Sequence, residues 1–480
     1  MRPARRRTRP RAGSMRPRSD VKATRRGGAS AALPWLLALA GFAFDLAAFW
    51  PGQMSFDSAY AWWQARGGES TDITSPALVR LWRLCDALLP GPGLPFALHL
   101  ALFWGGLALL ARGLGLGAAR GAAALLVVGF APVPWLLRGH VWTDVGLSGA
   151  LALAAGVLVC AHRSARRGVW LLALPALAYA AALRHNALPA LLPFAAWTAV
   201  LALRDLAPAR PPRGAPVAAA LALLAALAAA TQAIDAGVQR RVPLWPSLAQ
   251  WDLAALSVAR GRMLLPDFMI GPGLEVAELA AAFRPWSNTP MLSGTRHGLR
   301  DPFAQDFAPA ELATLRAAWT GAILAYPGDW LAHRWRLARA LFGRHEANWP
   351  RELVYVDDEV RYRDNPPVAR NASALHAALM AAAAALSSTH VLAAWPYLLA
   401  GLLAAPRAWR RRGETAGAAA CALLASAWLY ALPLCALAPA AELRYLGWPC
   451  VASLLALACL LAPRAAPRAR LAASSFPGSP

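Results

Sequence analysis

Ten stretches of this chain are apolar for close to the length of a bilayer-crossing helix, and polar segments of very unequal length separate them. The stretches are 31–50, 94–113, 118–137, 142–162, 169–184, 186–204, 215–235, 390–406, 415–437 and 444–462. About 18 apolar residues with few charges mark a transmembrane helix. Alanine and leucine dominate the runs and no apolar–polar alternation of period two appears, so helices are expected rather than barrel strands. The runs 169–184 and 186–204 are short and adjacent, which predicts a tight hairpin. The expected fold is an all-α polytopic membrane protein with about ten transmembrane helices. It becomes eleven if the apolar segment 372–386 also crosses.

The connecting segments orient this pattern. With the N-terminus in the cytoplasm, Arg112 and Arg120, Arg163-Ser164-Ala165-Arg166-Arg167, Arg210 with Arg213, and Arg410-Arg411-Arg412 all fall on the inner side, as the positive-inside rule requires. Counting 372–386 as a span would put Arg410-Arg411-Arg412 outside, so that segment reads as a re-entrant or interfacial helix. The organisation expected is a basic cytoplasmic tail over 1–30, a membrane module over 31–235 with an external loop at 51–93, an external or periplasmic segment over 236–372, a second membrane module over 373–462 and a cytoplasmic tail over 463–480. The external segment is too long for a structureless loop. Within it, 326–342 alternates apolar and basic positions, as a helix lying on the bilayer would. No internal repeat of fixed period is visible.

Composition agrees. The chain has 480 residues, 58% of them hydrophobic, and a mean hydropathy of +0.40, above what a soluble domain shows. The net charge of +23 does not imply nucleic acid. Much of it sits in the N-terminal arginines Arg5, Arg6, Arg7, Arg9, Arg11, Arg25 and Arg26, which have the composition of a solvated, disordered tail and serve topology. The first apolar run is too long for a signal peptide and lacks a small-residue cleavage site. Six cysteines, five of them inside predicted spans, form no CxxC motif and no disulfide framework.

Candidate chemistry appears when polar residues are added to this topology. Asp57, Asp72, Arg138, His140, Asp144, Arg184, His185, Asn186, Glu442, Arg444 and Tyr445 all fall at the external face, at five separate helix ends. Charges at such depth are costly unless paired or hydrated. The motifs Ser55-Phe56-Asp57-Ser58, Asp72-Ile73-Thr74-Ser75-Pro76-Ala77-Leu78, Thr143-Asp144-Val145, Leu183-Arg184-His185-Asn186-Ala187-Leu188 and Glu442-Leu443-Arg444-Tyr445-Leu446, in this order, resemble the GT-C superfamily of polyprenyl-phosphate-sugar-dependent glycosyltransferases. The branch resembled is the one related to protein mannosyltransferases and lipid A aminoarabinose transferases. The chain departs from that pattern at three places. Thr74-Ser75-Pro76 stands where the family often has His-Pro-Pro, Thr143 where a basic residue often precedes the acid, and Ser58 where a second acid often follows Asp57.

The resemblance implies transfer of a sugar from a polyprenyl-phosphate-linked donor to an envelope lipid, polysaccharide or protein at the outer face of the bacterial inner membrane. Asp57 is then the candidate general base. Arg444, with Arg138 or Arg184 and Tyr445, is the candidate phosphate clamp. Asp144, Asp72, His140, His185, Asn186 and Glu442 are candidates for holding sugar or acceptor. A divalent cation bridging carboxylate and phosphate is compatible with this chemistry, but no ligand set demands one. Two other functions stay open, a transporter or flippase for a polyprenyl-linked or small solute and a catalytically inactive protein on the same fold.

Blander readings attach to several of these residues. Asp57 and Asp144 can cap helices. Arg184 and Arg444 can anchor helix ends by snorkelling. His140 and His185 suit an interface. Asp357-Asp358-Glu359 reads as a solvated turn, Asn371-Ala372-Ser373 as a chance match to a glycosylation acceptor, and 113–117 as a glycine-rich turn. Trp62-Trp63 can anchor at the interface or stack on sugar rings. Asp45 lies inside the first span, where a buried acid needs a partner, water or a proton.

Overall fold

The computed structural model describes residues 20–206, 212–304, 306–343, 362–387 and 389–464. The expectations for the tails 1–19 and 465–480 and for Asp357-Asp358-Glu359 lie outside these residues. Among the described residues the chain is helical, with isolated β-bridges and no strand.

Helix α1 (Asp20–Phe49) leads into the short helices α2 (Phe56–Ala65) and α3 (Pro76–Leu88). Then come α4 (Gly93–Gly113), α5 (Ala118–Phe130), α6 (Pro132–Arg138), α7 (Thr143–Arg163), α8 (Leu174–Leu183), α9 (Leu188–Leu206) and α10 (Ala215–Asp235). A group of shorter helices follows: α11 (Trp245–Arg260), α12 (Val276–Ala282), α13 (Thr289–Gly294), α14 (Pro309–Ala325) and α15 (Pro327–Leu341). The chain closes with α16 (Ala374–Leu386), α17 (Trp395–Arg410), α18 (Thr415–Leu437) and α19 (Gly447–Leu460).

Seven helices are long and apolar enough to cross a membrane, and the count is eight if α5 and α6, which meet at 60°, form one broken span. These eight coincide with eight of the ten predicted runs. The other two are shorter. A 3-10 turn at Val169–Ala173 precedes the ten-residue α8, and α17 has 16 residues with Arg407 and Arg410 in its last turn, about 24 Å of helix. The apolar run 372–386 forms the 13-residue α16, about 20 Å long and short of the roughly 30 Å of a hydrocarbon core. It packs beside the end of α1, where His376 Nδ1 lies 2.9 Å from the Ala48 carbonyl oxygen.

Helix α7 is the axis of the bundle and is buried along most of its length. Its contact with α4 depends on glycine. A Cβ on Gly106 would lie 2.5 Å from the Ala152 carbonyl carbon, and one on Gly156 would lie 2.7 Å from the Gly106 oxygen. Lipid supplies little hydrophobic drive between helices, so close backbone approach at small residues is what holds such a pair.

The acid inside the first span has its partner. Asp45 is fully buried and accepts from Arg138 Nε at 2.8 Å and from Trp104 Nε1 at 2.8 Å. Arg138 also donates through Nη2 to the Gly129 carbonyl at 2.6 Å. That carbonyl lies in the last turn of α5, where Pro132 cannot continue the hydrogen-bond ladder. A helix broken within apolar surroundings needs its backbone groups satisfied by neighbours, and Arg138 does so while neutralising Asp45.

The helix predicted over 326–342 forms as α15, but His333 and Arg334 face inward rather than toward a lipid surface. They meet Asp252 of α11.

Arg138→Ala strands a buried carboxylate, so a loss of roughly 3–5 kcal/mol is expected. Adding Asp45→Leu to it should recover most of that. Denaturation in mixed micelles would measure both; equal instability of the single and double variants would contradict the pairing.

Candidate functional site

At one end of the bundle five segments enclose a cavity of about 1170 Å³. They are the loop and helix after α1, the start of α7, the end of α8, the link from α18 to α19, and the α11–α15 group with its flanking segments. Each is held by bonds that are local or stitch two loops together. Gln53 N donates to Gly139 O at 2.8 Å and Val141 N to Gln53 O at 3.0 Å. Ser58 Oγ donates to Val141 O at 2.8 Å and Trp142 Nε1 to Ser55 Oγ at 2.7 Å. The first turn of α2, with Asp57, is thereby fixed against the loop before α7. Ser75 caps α3 by accepting from Leu78 N and donates to Ala182 O at 2.8 Å, which sets the end of α8 beside α3.

Arg444 is the centre of the charged wall. Its Nη1 lies 2.6 Å from Asp57 Oδ2, and its Nε pairs with Glu442. Beside it, Arg184 pairs with Asp144 and donates to Asn186 Oδ1 at 3.2 Å. The ring of Tyr445 separates the two guanidiniums, 5.1 Å from Arg184 Cζ and 5.4 Å from Arg444 Cζ. Exposure divides the acids: the Asp57 side chain is 55% exposed, Glu442 12% and Asp144 3%. The two acids paired to Arg444 both line the cavity, and Asp57 is much the more exposed. Among the described residues, the carboxylates of Asp57, Glu442 and Asp144 face these two guanidiniums, and Asp57 is the most exposed of the three.

The placement of the residues expected from sequence is therefore mixed. Asp57, Arg184, Asn186, Glu442, Arg444 and Tyr445 line the cavity. Asp144 stands behind Arg184 and orients it. Arg138 does not reach the cavity: its guanidinium is bound to Asp45 and Gly129, which removes it from the phosphate clamp. Asp72 is a structural tie, accepting from Val242 N at 2.7 Å. His140 is fully buried with its ring stacked on Trp142 at 3.9 Å, so it too is absent from the wall. The side chain of His185 lies outside the described residues. Among the described residues no group of three His, Cys, Asp or Glu side chains is arranged to hold a metal ion.

The sequence pattern did not show the contribution of the segments around α11–α15. Arg240, Asn288, Asp306, Tyr362 and Arg363 line the same cavity. Their presence follows from contacts between distant segments, such as the bridges Thr71–Arg240 and Ser287–Ala440, which no local pattern announces. The bridge at Ala440, with Asn288 N to Pro439 O at 3.2 Å and Ala441 N to Trp286 O at 2.8 Å, holds the link that carries Glu442.

That link is also gripped from α15. Arg334 donates to Ala438 O at 3.1 Å and pairs with the fully buried Asp252. Trp319 and Trp330 donate to the other oxygen of Asp252 at 2.9 and 3.1 Å. Burial acts to raise the Asp252 carboxyl, but His333 and the charge of Arg334 outweigh it and hold the group below its ordinary range. Burial pushes the neighbouring His333 imidazole down, further than Asp252 raises it.

Comparison with family models, with curated proteins and with solved structures gave no match. What the fold defines is an all-helical protein with seven or eight membrane-capable helices and a charged cavity at one end.

His333 has a lowered folded value, so its contribution to stability is complete above the ordinary histidine range, near pH 6.5, and is lost as pH falls below it. Asp252 is depressed, so its contribution persists until pH falls through its own lowered value. Protection of α11 and α15 amides from hydrogen exchange should therefore drop between pH 7.5 and 5.5, after correction for intrinsic rates. His333→Gln should flatten that drop. Protection independent of pH in the unsubstituted protein would refute the role given to His333.

Proposed function

We propose that the chain is a membrane glycosyltransferase of the GT-C type, which moves a sugar from a polyprenyl-phosphate donor to an acceptor at the outer face of the inner membrane. The observation that carries this reading is Arg444 held between Asp57 and Glu442 on the wall of a large cavity. The motif order Asp57, Asp72, Asp144, Arg184, Arg444 supports it. In this reading the chain passes the membrane ten times, α8 and α17 being short spans, with both termini cytoplasmic and 236–372 periplasmic. The arginines gathered at the far end of the bundle support that orientation. Arg204 bonds the Ala161 and His162 carbonyls there, and Arg411 those of Leu460 and Ala462.

The chemistry follows from an exchange of counter-ions. The donor phosphate docks on Arg444 and Arg184 through charge-assisted bonds, and its prenyl chain runs along Pro433, Leu434 and Leu437 of α18, which line the same cavity. Asp57 is displaced from Arg444 and becomes available as a base. It takes the proton of an acceptor hydroxyl, the hydroxyl oxygen bonds to the anomeric carbon, and the bond from that carbon to the phosphate oxygen breaks. The bonding pair leaves on the phosphate, where the two guanidiniums stabilise it. Asp144 and Glu442 hold those guanidiniums in place.

Two outcomes are expected. In membranes supplied with radiolabelled polyprenyl-phosphate sugars, Asp57→Asn should lose about 10²–10⁴ in transfer while binding donor as well as before or better, because it removes the competing anion. Arg444→Ala should lose donor binding and transfer together, and Arg444→Lys should restore only part, lacking the two-pronged contact. Equal product from the wild type and Asp57→Asn would remove the base assignment. No product with any donor would favour a transporter or an inactive protein. For topology, a membrane-impermeant maleimide applied to intact cells should label Thr314→Cys above the unsubstituted chain and leave Ala165→Cys unlabelled. The reverse pattern would invert the orientation.

A further inference from the structure

The charged wall occupies only part of the cavity. Beside it, around the first turns of α2, four aromatic rings that line the cavity meet one another. Tyr362 lies 5.3 Å from Phe56, 5.2 Å from Tyr60 and 5.5 Å from Trp63 between ring centroids, and Phe56 and Tyr60 are stacked at 6.4 Å. Such a cluster is ordinarily core. Here it is not closed: Phe56 is 54% exposed, and a phenyl ring left half open forgoes much of the benefit of burial. Phe56 is also the residue before Asp57, so the open ring and the open carboxylate stand side by side at one helix start. Arg363, in a left-handed backbone conformation (φ 46) uncommon for a side chain of its size, lays its guanidinium over Trp63 at 4.2 Å. The rim beyond the rings is polar. Arg240 bridges Glu69 at 3.3 Å and Asp306 at 3.0 Å, and all three line the cavity.

We propose that this aromatic half is a saccharide site, and that the acceptor is a carbohydrate whose ring stacks on the open face of Phe56 and meets Tyr362, which stands at 86° to Phe56, along its edge, with a hydroxyl directed at Asp57. A sugar ring has an apolar face of C–H bonds and an edge of hydroxyls that both donate and accept. Flat rings satisfy the face, and carboxylates, guanidiniums and amides at the rim satisfy the edge. An acyl chain would cover the same rings but would take water from the Glu69–Arg240–Asp306 bridge and return nothing to it. The orientation toward Asp57 rests on the transfer reading above; the ligand class does not, because it comes from the rings and the rim.

The test is binding without donor. Protein in lipid nanodiscs is examined by saturation-transfer difference NMR with four probes: a β-1,4-linked N-acetylglucosamine disaccharide, an α-linked mannose disaccharide, octanol, and a serine-containing hexapeptide. At least one disaccharide should bind, with saturation concentrated on the C–H protons of one ring face. Phe56→Leu keeps apolar bulk and loses the flat face, and Tyr362→Leu does the same; each should weaken binding about tenfold, the equivalent of one good aromatic contact. Phe56→Trp should keep it. Because Phe56 is already open to the cavity, its exchange for Leu leaves the core packing intact. Arg444→Ala should bind the disaccharide even with transfer abolished. An absence of transfer therefore overturns the enzyme reading and not this site. Failure of both disaccharides to bind, binding unchanged in Phe56→Leu and Tyr362→Leu, or octanol or the peptide binding with the same dependence on these rings would overturn it.

Discussion

A guanidinium set among apolar helices needs a carboxylate beside it, and that constraint organises this protein. Arg138 is matched by Asp45, Arg184 by Asp144, Arg334 by Asp252, and Arg444 by Asp57 and Glu442. Each pair joins elements far apart in the chain or fixes a turn beside the cavity. Leaving one member unpaired would be costly, so the pairs specify which helix ends meet. Arg138–Asp45 and Arg334–Asp252 are buried. Arg184 reaches the cavity while its partner Asp144 stays buried, and the Arg444 pair opens to the cavity through Asp57, the most exposed of these acids.

The geometry around Arg444 is assembled from several directions. Glycines on α4 and α7 let the central helices approach until Gly156 nearly touches the Gly106 carbonyl. The α18–α19 link is then held by Arg334 at Ala438 and by the bridge from Ser287 to Ala440. Asp57 arrives from the opposite side on α2, fixed through Ser55 and Ser58 to the loop before α7. No single element could place the Asp57 carboxylate and the Arg444 guanidinium 2.6 Å apart. The cavity is a property of the whole bundle end.

Much of this was readable from the sequence, and the parts that were not share a cause. Long apolar runs specify their own helices, because backbone hydrogen bonds in lipid must be satisfied within the segment. Eight runs therefore appear where expected. The two at 169–184 and 390–406 are shortened by features that hydropathy alone does not weigh, a 3-10 turn before Pro175 and the arginines of the last turn of α17. The clustering of Asp57, Arg184, Glu442 and Arg444 followed from placing every helix end on one face. Arg138 was misplaced because its partner Asp45 lies 93 residues away and nothing local shows that one neutralises the other. Asp72 and His140 were misplaced for a related reason: whether a polar side chain at a helix end faces a cavity or ties two loops together depends on contacts across the fold. The aromatic wall was visible only as an abundance of rings until Tyr362 was seen against Phe56, Tyr60 and Trp63.

In the proposed reaction Arg444 exchanges a protein carboxylate for a donor phosphate and so frees Asp57. A structure of the protein in lipid nanodiscs with an undecaprenyl phosphate bound tests it most directly. Such an exchange places phosphate oxygens within hydrogen-bond distance of Arg444, with the Glu442 contact kept and the Asp57 carboxylate moved out of contact into the cavity. A phosphate bound elsewhere, with the 2.6 Å Asp57–Arg444 pair intact, would contradict it.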